Sequence, residues 1–389
     1  MKRFIYMDNA ATTPAAPEVI EAMKPYLREN YGNPSGLYEL AKQSRRAVEE
    51  ARAEIARTLH VPPETIYFTS GGTESDNWAL SAVCAKAEEK GRRPHMITTK
   101  IEHHAVLNTC AYLERHGADV TYIGTDETGL VDFKALSAAI RPETVLISVM
   151  AANNEVGTIE PLEAIGALAA SRQILFHTDA VQAYGHMPLN VEAAHISMLS
   201  ASAHKFNGPK GVGFLYVEKP EAFEAFMHGG GQERGLRAGT ENVAGIVGMG
   251  CAAKLIYKRM AFCSEKEQFL RDRLIYRLCS ELPFVRLNGN RKVRLPNNAS
   301  FCFAGADSAS MIAMLDMSGI CVSGGSACAS GSARPSHVLR ALGLTENEAA
   351  TALRLTVSDR LTIEDIDYTV MQIKKIVNYL RQTEDSINR

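Results

Sequence analysis

The chain has 389 residues, a length that allows one large domain or about two to three ordinary ones. Hydrophobic residues make up 46% and charged residues 22%, a composition typical of a soluble globular protein and not of a disordered or fibrous one. The net charge of −2 gives no long-range attraction to nucleic acid or anionic lipid, and no apolar run approaches the roughly 20 residues of a membrane span. Eight cysteines without a Cys-x-x-Cys pair indicate reduced thiols and a cytoplasmic setting.

Helical patterns alternate with short strand-like runs over the first two thirds of the chain. The helical spacing covers residues 40–59, 78–87, 106–113 and 162–170, and the strand-like runs cover residues 66–69, 96–99, 120–123, 145–150, 174–176 and 212–217. Such alternation is typical of a mostly parallel sheet that helices cover on both faces. We therefore predict a large α/β domain, the cofactor-binding one, over residues 15–255.

The pattern changes after a long helical stretch at residues 242–280. Strand-like runs then occur at residues 285–287, 299–303 and 352–357, and helical patterns at residues 309–317, 335–342 and 363–380. This order predicts a smaller α+β domain made of residues 1–14 and 256–389, which shares an interface with the large domain.

Three polar segments follow strands of the predicted α/β domain. Residues 70–75 (SGGTES) open a helix, where free amides favour a phosphate, although a plain helix cap explains them equally well. Asp179 lies just past a strand end, where open parallel sheets bind ligands, although it too suits a cap. Lys205 lies in a short polar turn, residues 202–205, after the apolar run 196–199; desolvation there makes an amine nucleophilic, although most lysines are surface charges.

The order of these three segments is more informative than any one of them. A phosphate cradle, a partner for a protonated ring nitrogen and a lysine that forms a Schiff base are the parts that a pyridoxal phosphate enzyme needs. The sequence therefore predicts this cofactor.

The whole chain resembles the cysteine desulfurases of the NifS/IscS type, in the class V aminotransferase group of fold-type I pyridoxal phosphate enzymes. Besides the three segments above, the resemblance rests on residues 6–13 (YMDNAATT), 31–35 (YGNPS), 101–104 (IEHH), 153–158 (NNEVGT), 229–242 (GGGQERGLRAGTEN), 326–328 (SAC) and 352–354 (ALR). So many ordered matches make a chance likeness improbable.

The resemblance implies a role for each matching residue around the cofactor. It makes Lys205 the residue that binds the coenzyme covalently and moves protons, Asp179 the partner of the ring nitrogen, and His103 the residue stacked on the ring and a possible acid or base. Gln182 and Asn154 are expected near the ring oxygen. The expected phosphate contacts are Gly72, Thr73, Ser202, His204 and Thr240, the last from the second subunit of a homodimer.

The resemblance also implies a substrate clamp and a sulfur acceptor. Arg354, helped by Asn33, is expected to bind the substrate carboxylate through paired hydrogen bonds. Cys328 lies in a run of ten small residues, 323–332, typical of a mobile loop with an accessible thiol. Its thiolate is expected to take the sulfur of L-cysteine as a persulfide, which could transiently ligate an iron–sulfur cluster. No resident metal site is predicted.

Alternative functions stay open at this level. Selenocysteine lyase, or another class V lyase or transaminase, would use the same scaffold, although a transaminase would not need Cys328. A different class of function is that of a sulfur carrier or assembly partner of an iron–sulfur scaffold, in which enzyme turnover is secondary. Lys205, Asp179, His103 and Arg354 together favour the desulfurase, with a sulfur-acceptor protein such as an iron–sulfur scaffold as its partner.

Overall fold

The computed structural model describes residues 4–89, 91–220, 223–324 and 335–387. The strands are β1 (Ile5–Tyr6), β2 (Ile66–Thr69), β3 (His95–Thr99), β4 (Asp119–Ile123), β5 (Thr144–Ser148), β6 (Leu175–Asp179), β7 (Met198–Ser202), β8 (Gly213–Val217), β9 (Val285–Asn288), β10 (Asn298–Phe303), β11 (Ile320–Cys321), β12 (Ser323–Gly324) and β13 (Ala352–Thr356). The α-helices are α1 (Pro17–Arg28), α2 (Glu39–Leu59), α3 (Gly72–Glu89), α4 (His104–Arg115), α5 (Phe133–Ala138), α6 (Leu162–Ser171), α7 (Val243–Glu281), α8 (Ser308–Met317), α9 (His337–Ala341), α10 (Glu346–Ala350) and α11 (Ile363–Ile387).

A sheet of seven strands in the order β2-β8-β7-β6-β5-β3-β4 forms the centre of the fold. The five strands from β7 to β4 are parallel neighbours, and β8 runs antiparallel to both β7 and β2. Parallel strands need crossover connections; α-helices supply them here except between β6 and β7, which residues 180–197 join without an α-helix. The expected α/β fold with a mostly parallel sheet is confirmed.

Strand β7 corrects one detail of the sequence interpretation, which placed Ser202 in a polar turn after an apolar run. The strand continues to Ser202, and only Ala203–Lys205 form a turn, of the 3-10 type. Ser200 and Ser202 break the apolar pattern, but both are buried between neighbouring strands, which satisfy the backbone. In the same way, Asp179 is the last residue of β6 and does not lie beyond it.

Helix α1 has no counterpart among the elements expected from the sequence. Its pattern is interrupted by Pro25, which lies inside the helix, while Pro17 occupies a position at the helix start where proline is tolerated. Helix α1 packs against the long helix α7. Tertiary packing thus outweighs the weak local signal.

The strands after α7 form a separate antiparallel sheet in the order β12-β13-β10-β9. Its buried side chains pack with α7 and α11 in a hydrophobic cluster that also includes Ile5 and Met7 from the N-terminus. Strand β1 pairs in parallel with β11, and Asp8 forms a bridge to Thr356. The N-terminal segment therefore runs from this sheet towards the seven-stranded one. None of the described helices combines the length and apolar character required to cross a lipid bilayer.

Candidate active site

The carboxyl edge of the parallel sheet brings together the residues that end β6 and β7. Asp179 is the last residue of β6 and pairs with Ser200 of β7, two residues before that strand ends. Lys205 ends the 3-10 turn that follows directly. Carboxyl ends of parallel strands are the common ligand-binding edge of such sheets, so the fold itself places a carboxylate and an amine at one opening.

The N-terminal segment holds Lys205 in place. The Nζ atom of Lys205 donates to the carbonyl oxygens of Ala10, at 2.7 Å, and Ala11, at 2.8 Å. The side-chain amide of Gln182 donates to the same Ala10 oxygen at 3.0 Å, and Thr13 Oγ1 donates to the carbonyl of His204 at 2.8 Å. The amine is therefore half-buried and rests on backbone oxygen atoms.

His103 faces this edge from the start of helix α4, where it is the N-terminal cap. Its Nδ1 atom accepts a hydrogen bond from the backbone amide of Ala105 at 3.1 Å, so the neutral ring carries its proton on Nε2. Burial lowers the pKa of His103, while the negative charge of Asp179 opposes this shift. The neighbouring ring of His104 is exposed. His103 thus presents a neutral imidazole to the site.

Two buried carboxyl groups lie beside His103, and a third, that of Glu102, interacts electrostatically with both of them. Polar atoms of Asp76, His103 and Asp179 all lie within 4.8 Å of one another. Asp179 Oδ1 accepts from the amide of Val181 at 2.9 Å, and burial raises the pKa of Asp179, against the charges of His103 and Lys205. Burial also raises the pKa of Glu102, to about 8. The floor of the site, which consists of Asp76, Glu102, His103 and Asp179, is therefore rich in carboxyl groups.

The start of helix α3 lies against the ends of β6 and β7. A Cβ atom at Gly72 would come within 2.5 Å of Val181 Cγ2 and 3.8 Å of Ser202 Cβ, so only glycine allows this close approach. Thr73 is exposed in the first turn. His204 Nδ1 lies 3.1 Å from Thr12 Oγ1, and burial lowers the pKa of His204 to about 4. Free amides and hydroxyl groups at a helix start suit a phosphate.

Arg354 lies on the antiparallel sheet, in β13, and is 1% exposed. Its Nη2 atom donates to Asp8 Oδ1 at 2.8 Å, and its Nη1 atom donates to the carbonyl of Asn154 at 3.0 Å. Its Nε atom has no hydrogen-bond partner in the part of the chain that the structure covers. A buried guanidinium with one nitrogen atom still unpartnered is suited to an anionic ligand.

Three of the expected residues are not joined to this cluster. Asn33 is exposed between α1 and α2, where its Oδ1 accepts from the amide of Ser35. Thr240 is exposed in the segment before α7. Cys328 lies outside the described residues. The expected lysine, carboxylate, histidine and arginine lie around the site, and the roles of these residues, like those of Asn33, Thr240 and Cys328, stay predictions.

Pyridoxal phosphate fits the chemistry of this site. Lys205 offers an amine for the aldehyde, and Asp179 offers a buried carboxylate for a protonated ring nitrogen. The glycine contact at Gly72 leaves the amides of α3 open to a phosphate group. The surplus of carboxyl groups over cations gives the ring nitrogen's positive charge a favourable environment.

Sequence reasoning missed Asp76, and it assigned no role to Asp8 or Glu102. Asp76 lies on the face of α3 that packs on the sheet, in one row with Gly72, Ala79 and Val83. A carboxyl group within a small and apolar row is the signal that could have revealed it. The Asp8–Arg354 pair joins residues 346 positions apart, and no local pattern encodes it.

Comparisons with known proteins agree with this geometry. The family model for class V aminotransferases matches residues 5–369. "Cysteine desulfurase IscS" of Clostridium botulinum is 48% identical over 98% of this chain and 96% of its own length. A solved "NIFS-LIKE PROTEIN" superposes with a TM-score of 0.91 at 37% identity, over 97% of this chain and 100% of that one. The structure "SspA in complex with cysteine" gives a TM-score of 0.81 at 36% identity, over 92% and 100%.

The family model covers nearly the whole chain, and each of these relatives is more than 30% identical to it over most of both lengths. The residues at the carboxyl edge of the sheet are those that a pyridoxal phosphate enzyme of this kind requires. The chain therefore belongs to the class V aminotransferase family of pyridoxal phosphate-dependent enzymes, in its cysteine desulfurase branch.

Proposed function

We propose that this chain is a pyridoxal phosphate-dependent cysteine desulfurase, which removes the sulfur of L-cysteine, leaves L-alanine and holds the sulfur as a persulfide on Cys328. The convergence of Lys205, Asp179 and His103 at one edge of the sheet carries the proposal. The likeness to enzymes named cysteine desulfurase over 98% of the chain supports the choice of reaction.

The residues around the opening divide the work of holding the coenzyme. Lys205 binds it through Nζ and later moves protons at the substrate carbon atoms, and Asp179 keeps the ring nitrogen protonated. Gln182 and Asn154 would hold the ring oxygen, and His103 would contact the ring. The phosphate would be held by Gly72, Thr73, Ser202 and His204, with Thr240 of a second copy. Bound pyridoxal phosphate supplies an electron sink for the substrate carbon atoms.

The sulfur transfer needs one thiol of this chain. The thiolate of Cys328 attacks the substrate sulfur, so a sulfur–sulfur bond forms while the carbon–sulfur bond breaks. The substrate carbon takes up a proton in place of sulfur, so one cysteine and one thiol become one alanine and one persulfide. Burial raises the pKa of Cys84 to about 12 and raises that of Cys110 as well, which supports a residue other than these as the nucleophile.

The substrate carboxylate binds to Arg354, with help from Asn33. The unpartnered Nε atom of Arg354 supports this role, because a buried donor without a partner is costly until a ligand satisfies it. The guanidinium is held by Asp8 and by the backbone of Asn154, and the substrate carboxylate shares or replaces the bond to Asp8. Such paired hydrogen bonds select an amino acid over an uncharged thiol.

The proposal extends to the setting of the enzyme. The seven described cysteines are free thiols, which supports a reducing compartment such as the cytoplasm. We expect a homodimer in which Thr240 completes the partner's phosphate site. Delivery of the persulfide sulfur to an iron–sulfur scaffold follows from the name of the relatives, and Cys328 would then contact the cluster only transiently.

The proposal is tested by the products of the reaction. Purified protein with added pyridoxal phosphate is given L-cysteine or L-selenocysteine, and alanine and sulfide are measured. We expect alanine from L-cysteine, and we expect Cys328→Ser to retain the visible absorption of the bound coenzyme while it loses alanine formation. Cys321→Ser is the matched control, since burial raises the pKa of that thiol, and it should behave as wild type.

Two results would overturn the assignment. Alanine formation by Cys328→Ser at the wild-type rate would remove this thiol from the reaction. Activity on selenocysteine alone would favour a selenocysteine lyase. Tight binding to a scaffold protein without any alanine release would instead favour a sulfur carrier or assembly protein.

A further inference from the structure

Asp76 is a buried carboxyl group to which the proposed roles assign nothing. It lies in the second turn of α3, faces the central sheet and is 1% exposed. Its Oδ1 atom lacks a hydrogen-bond partner in the described part of the chain. A buried carboxylate oxygen without a partner is costly, so its retention beside the cofactor edge needs a physical reason.

The nearest basic ring does not neutralise Asp76. His177 Nε2 lies 3.6 Å from Asp76 Oδ1, but the same nitrogen lies 3.0 Å from Ser200 Oγ, and Nδ1 lies 2.9 Å from Ser148 Oγ. Burial lowers the pKa of His177 to about 3, so its ring is neutral. A hydrogen bond with Ser200 lowers the pKa of Asp76, but the neutral His177 ring leaves the charge of Asp76 uncompensated.

Asp179 is the second carboxyl group of the pair. Polar atoms of Asp76, His103 and Asp179 lie within 4.8 Å of one another, in the interior of the protein. Burial and then the charge of Asp179 raise the pKa of Asp76, and burial raises that of Asp179. Two carboxyl groups this close cannot both ionise cheaply, and they titrate as a unit.

The other titratable groups that face the pair come from two further elements. Glu102 and His103 precede α4; burial raises the pKa of Glu102 to about 8 and lowers that of His103, so both are neutral near pH 7. Lys205, in the turn after β7, contributes positive charge that lowers the pKa of Asp179. The cluster thus contains more acidic groups than the described cation can balance.

We propose that Asp76 is a positioning residue that acts through Asp179: the two carboxyl groups hold one proton between them before the coenzyme binds and give it to the ring nitrogen on binding. One O–H bond breaks, one N–H bond forms, and no proton from solvent is required. Two carboxylates then face one N–H cation and stabilise it more than Asp179 alone. The inference rests on the proposed function, because it requires Asp179 to meet the ring nitrogen.

The test replaces Asp76 by asparagine, which keeps the shape and removes the carboxyl group. We expect the Kd of the apoenzyme for pyridoxal phosphate to rise about tenfold, because the ring nitrogen loses one facing negative charge. The pH midpoint of the absorption change of the bound coenzyme should fall by about one unit for the same reason. Glu160→Gln is the control, since it removes a buried carboxyl group that accepts from the amide of Val131 and does not act on the pKa of Asp76 or Asp179, and both values should stay as in wild type.

A double variant distinguishes action through Asp179 from independent action. Asp76→Asn combined with Asp179→Asn should bind pyridoxal phosphate no worse than Asp179→Asn alone. Additive losses of coenzyme affinity in the double variant would overturn the proposal that Asp76 and Asp179 share a proton. A wild-type Kd and a wild-type pH midpoint in Asp76→Asn would also overturn it.

An infrared measurement on wild type covers the case in which the variants misfold. The difference spectrum between apo and loaded enzyme should lose a C=O band of a protonated carboxyl group when the coenzyme binds, since other protonated carboxyl groups cancel. An unchanged band would overturn the inference while the proposed function stands. Failure of wild type to bind pyridoxal phosphate would instead overturn the proposed function, and the inference with it.

Discussion

The two sides of the active site manage buried charge in opposite ways. On the floor, at the edge of the parallel sheet, Asp76 and Glu102 each keep an oxygen atom without a hydrogen-bond partner. The wall of the site consists of Arg354, in the antiparallel sheet, and Asp8, and these two residues already form an ion pair. The floor therefore gains from an added cation, whereas on the wall an arriving anion finds only Nε of Arg354 without a partner and must share Nη2 with Asp8. The carboxyl groups that meet the coenzyme are therefore in place before it binds, whereas the hydrogen bonds of Arg354 are exchanged when the substrate binds.

Replacing Lys205 by alanine is the sharpest test of the preformed floor. We expect the visible absorption of the coenzyme to disappear and alanine formation to fall by about a thousandfold or more, because the amine both holds the coenzyme and moves protons. Absorption spectra and alanine assays measure the two effects. A protein that stays yellow and active without this amine would contradict the assignment, and Lys210→Ala, outside the cluster, provides the control.

The wall is tested by Arg354→Lys, which keeps the positive charge and removes the planar fork. We expect kcat/KM for L-cysteine to fall about a hundredfold, because one ammonium group cannot replace the guanidinium bonds to Asp8, to the Asn154 carbonyl and to a carboxylate. Coenzyme binding should change little, since the floor is intact. Equal losses of coenzyme and substrate binding would show that the two sides are not separate.

Asp8→Asn tests whether the wall is exchangeable. Asp8 holds Nη2 of Arg354, so its removal should free that donor for the substrate and lower KM for L-cysteine about threefold, with kcat unchanged. The apoenzyme should lose thermal stability because a buried cation loses its partner, and added L-cysteine or L-alanine should restore more of it than in wild type. A rise in KM would mean that Asp8 only orients Arg354.

The sequence was sufficient to predict the floor but not its charge balance. The motifs around Gly72, Asp179 and Lys205 each follow an apolar run, so their meeting at one sheet edge follows from parallel topology. Ser202 was wrongly assigned to a turn because a fully buried strand tolerates small polar residues. Asp76 was missed because its burial depends on how α3 docks onto β6 and β7, which local spacing does not encode.

The wall was harder to predict for a different reason. Arg354 was expected to clamp the substrate, but its partner Asp8 comes from the other end of the chain. Such pairing depends on the N-terminal segment crossing between the two sheets, through the Asp8 bridge to Thr356. Long-range side-chain pairs of this kind are set by tertiary structure alone. Cys328, outside the described residues, stays a prediction from the resemblance.

The last prediction concerns the stability of the floor, through Glu102. Burial raises the pKa of Glu102 to about 8, from an ordinary value of 4.5. Because the unfolded chain ionises first, it binds fewer protons than the native protein between these values, so the free energy of unfolding falls as the pH rises through this window. Glu102→Gln removes the ionisable group, so its stability relative to wild type should increase by about 3–4 kcal/mol between pH 5 and pH 8.

A second buried carboxyl group, that of Glu160, distinguishes effects specific to the floor from the effects of burial alone. Burial raises the pKa of Glu160 to about 8 as well, and its Oε2 accepts from the amide of Val131 at 3.0 Å. Urea unfolding of both glutamine variants as apoenzymes should therefore show the same increase with pH in the free energy of unfolding relative to wild type. Only Glu102→Gln should also weaken pyridoxal phosphate binding at pH 8 and above, where Glu102 is ionised and adds a negative charge to the floor. If both variants bound pyridoxal phosphate equally well, Asp76 and Asp179 alone would be the carboxyl groups of the floor that act on the coenzyme.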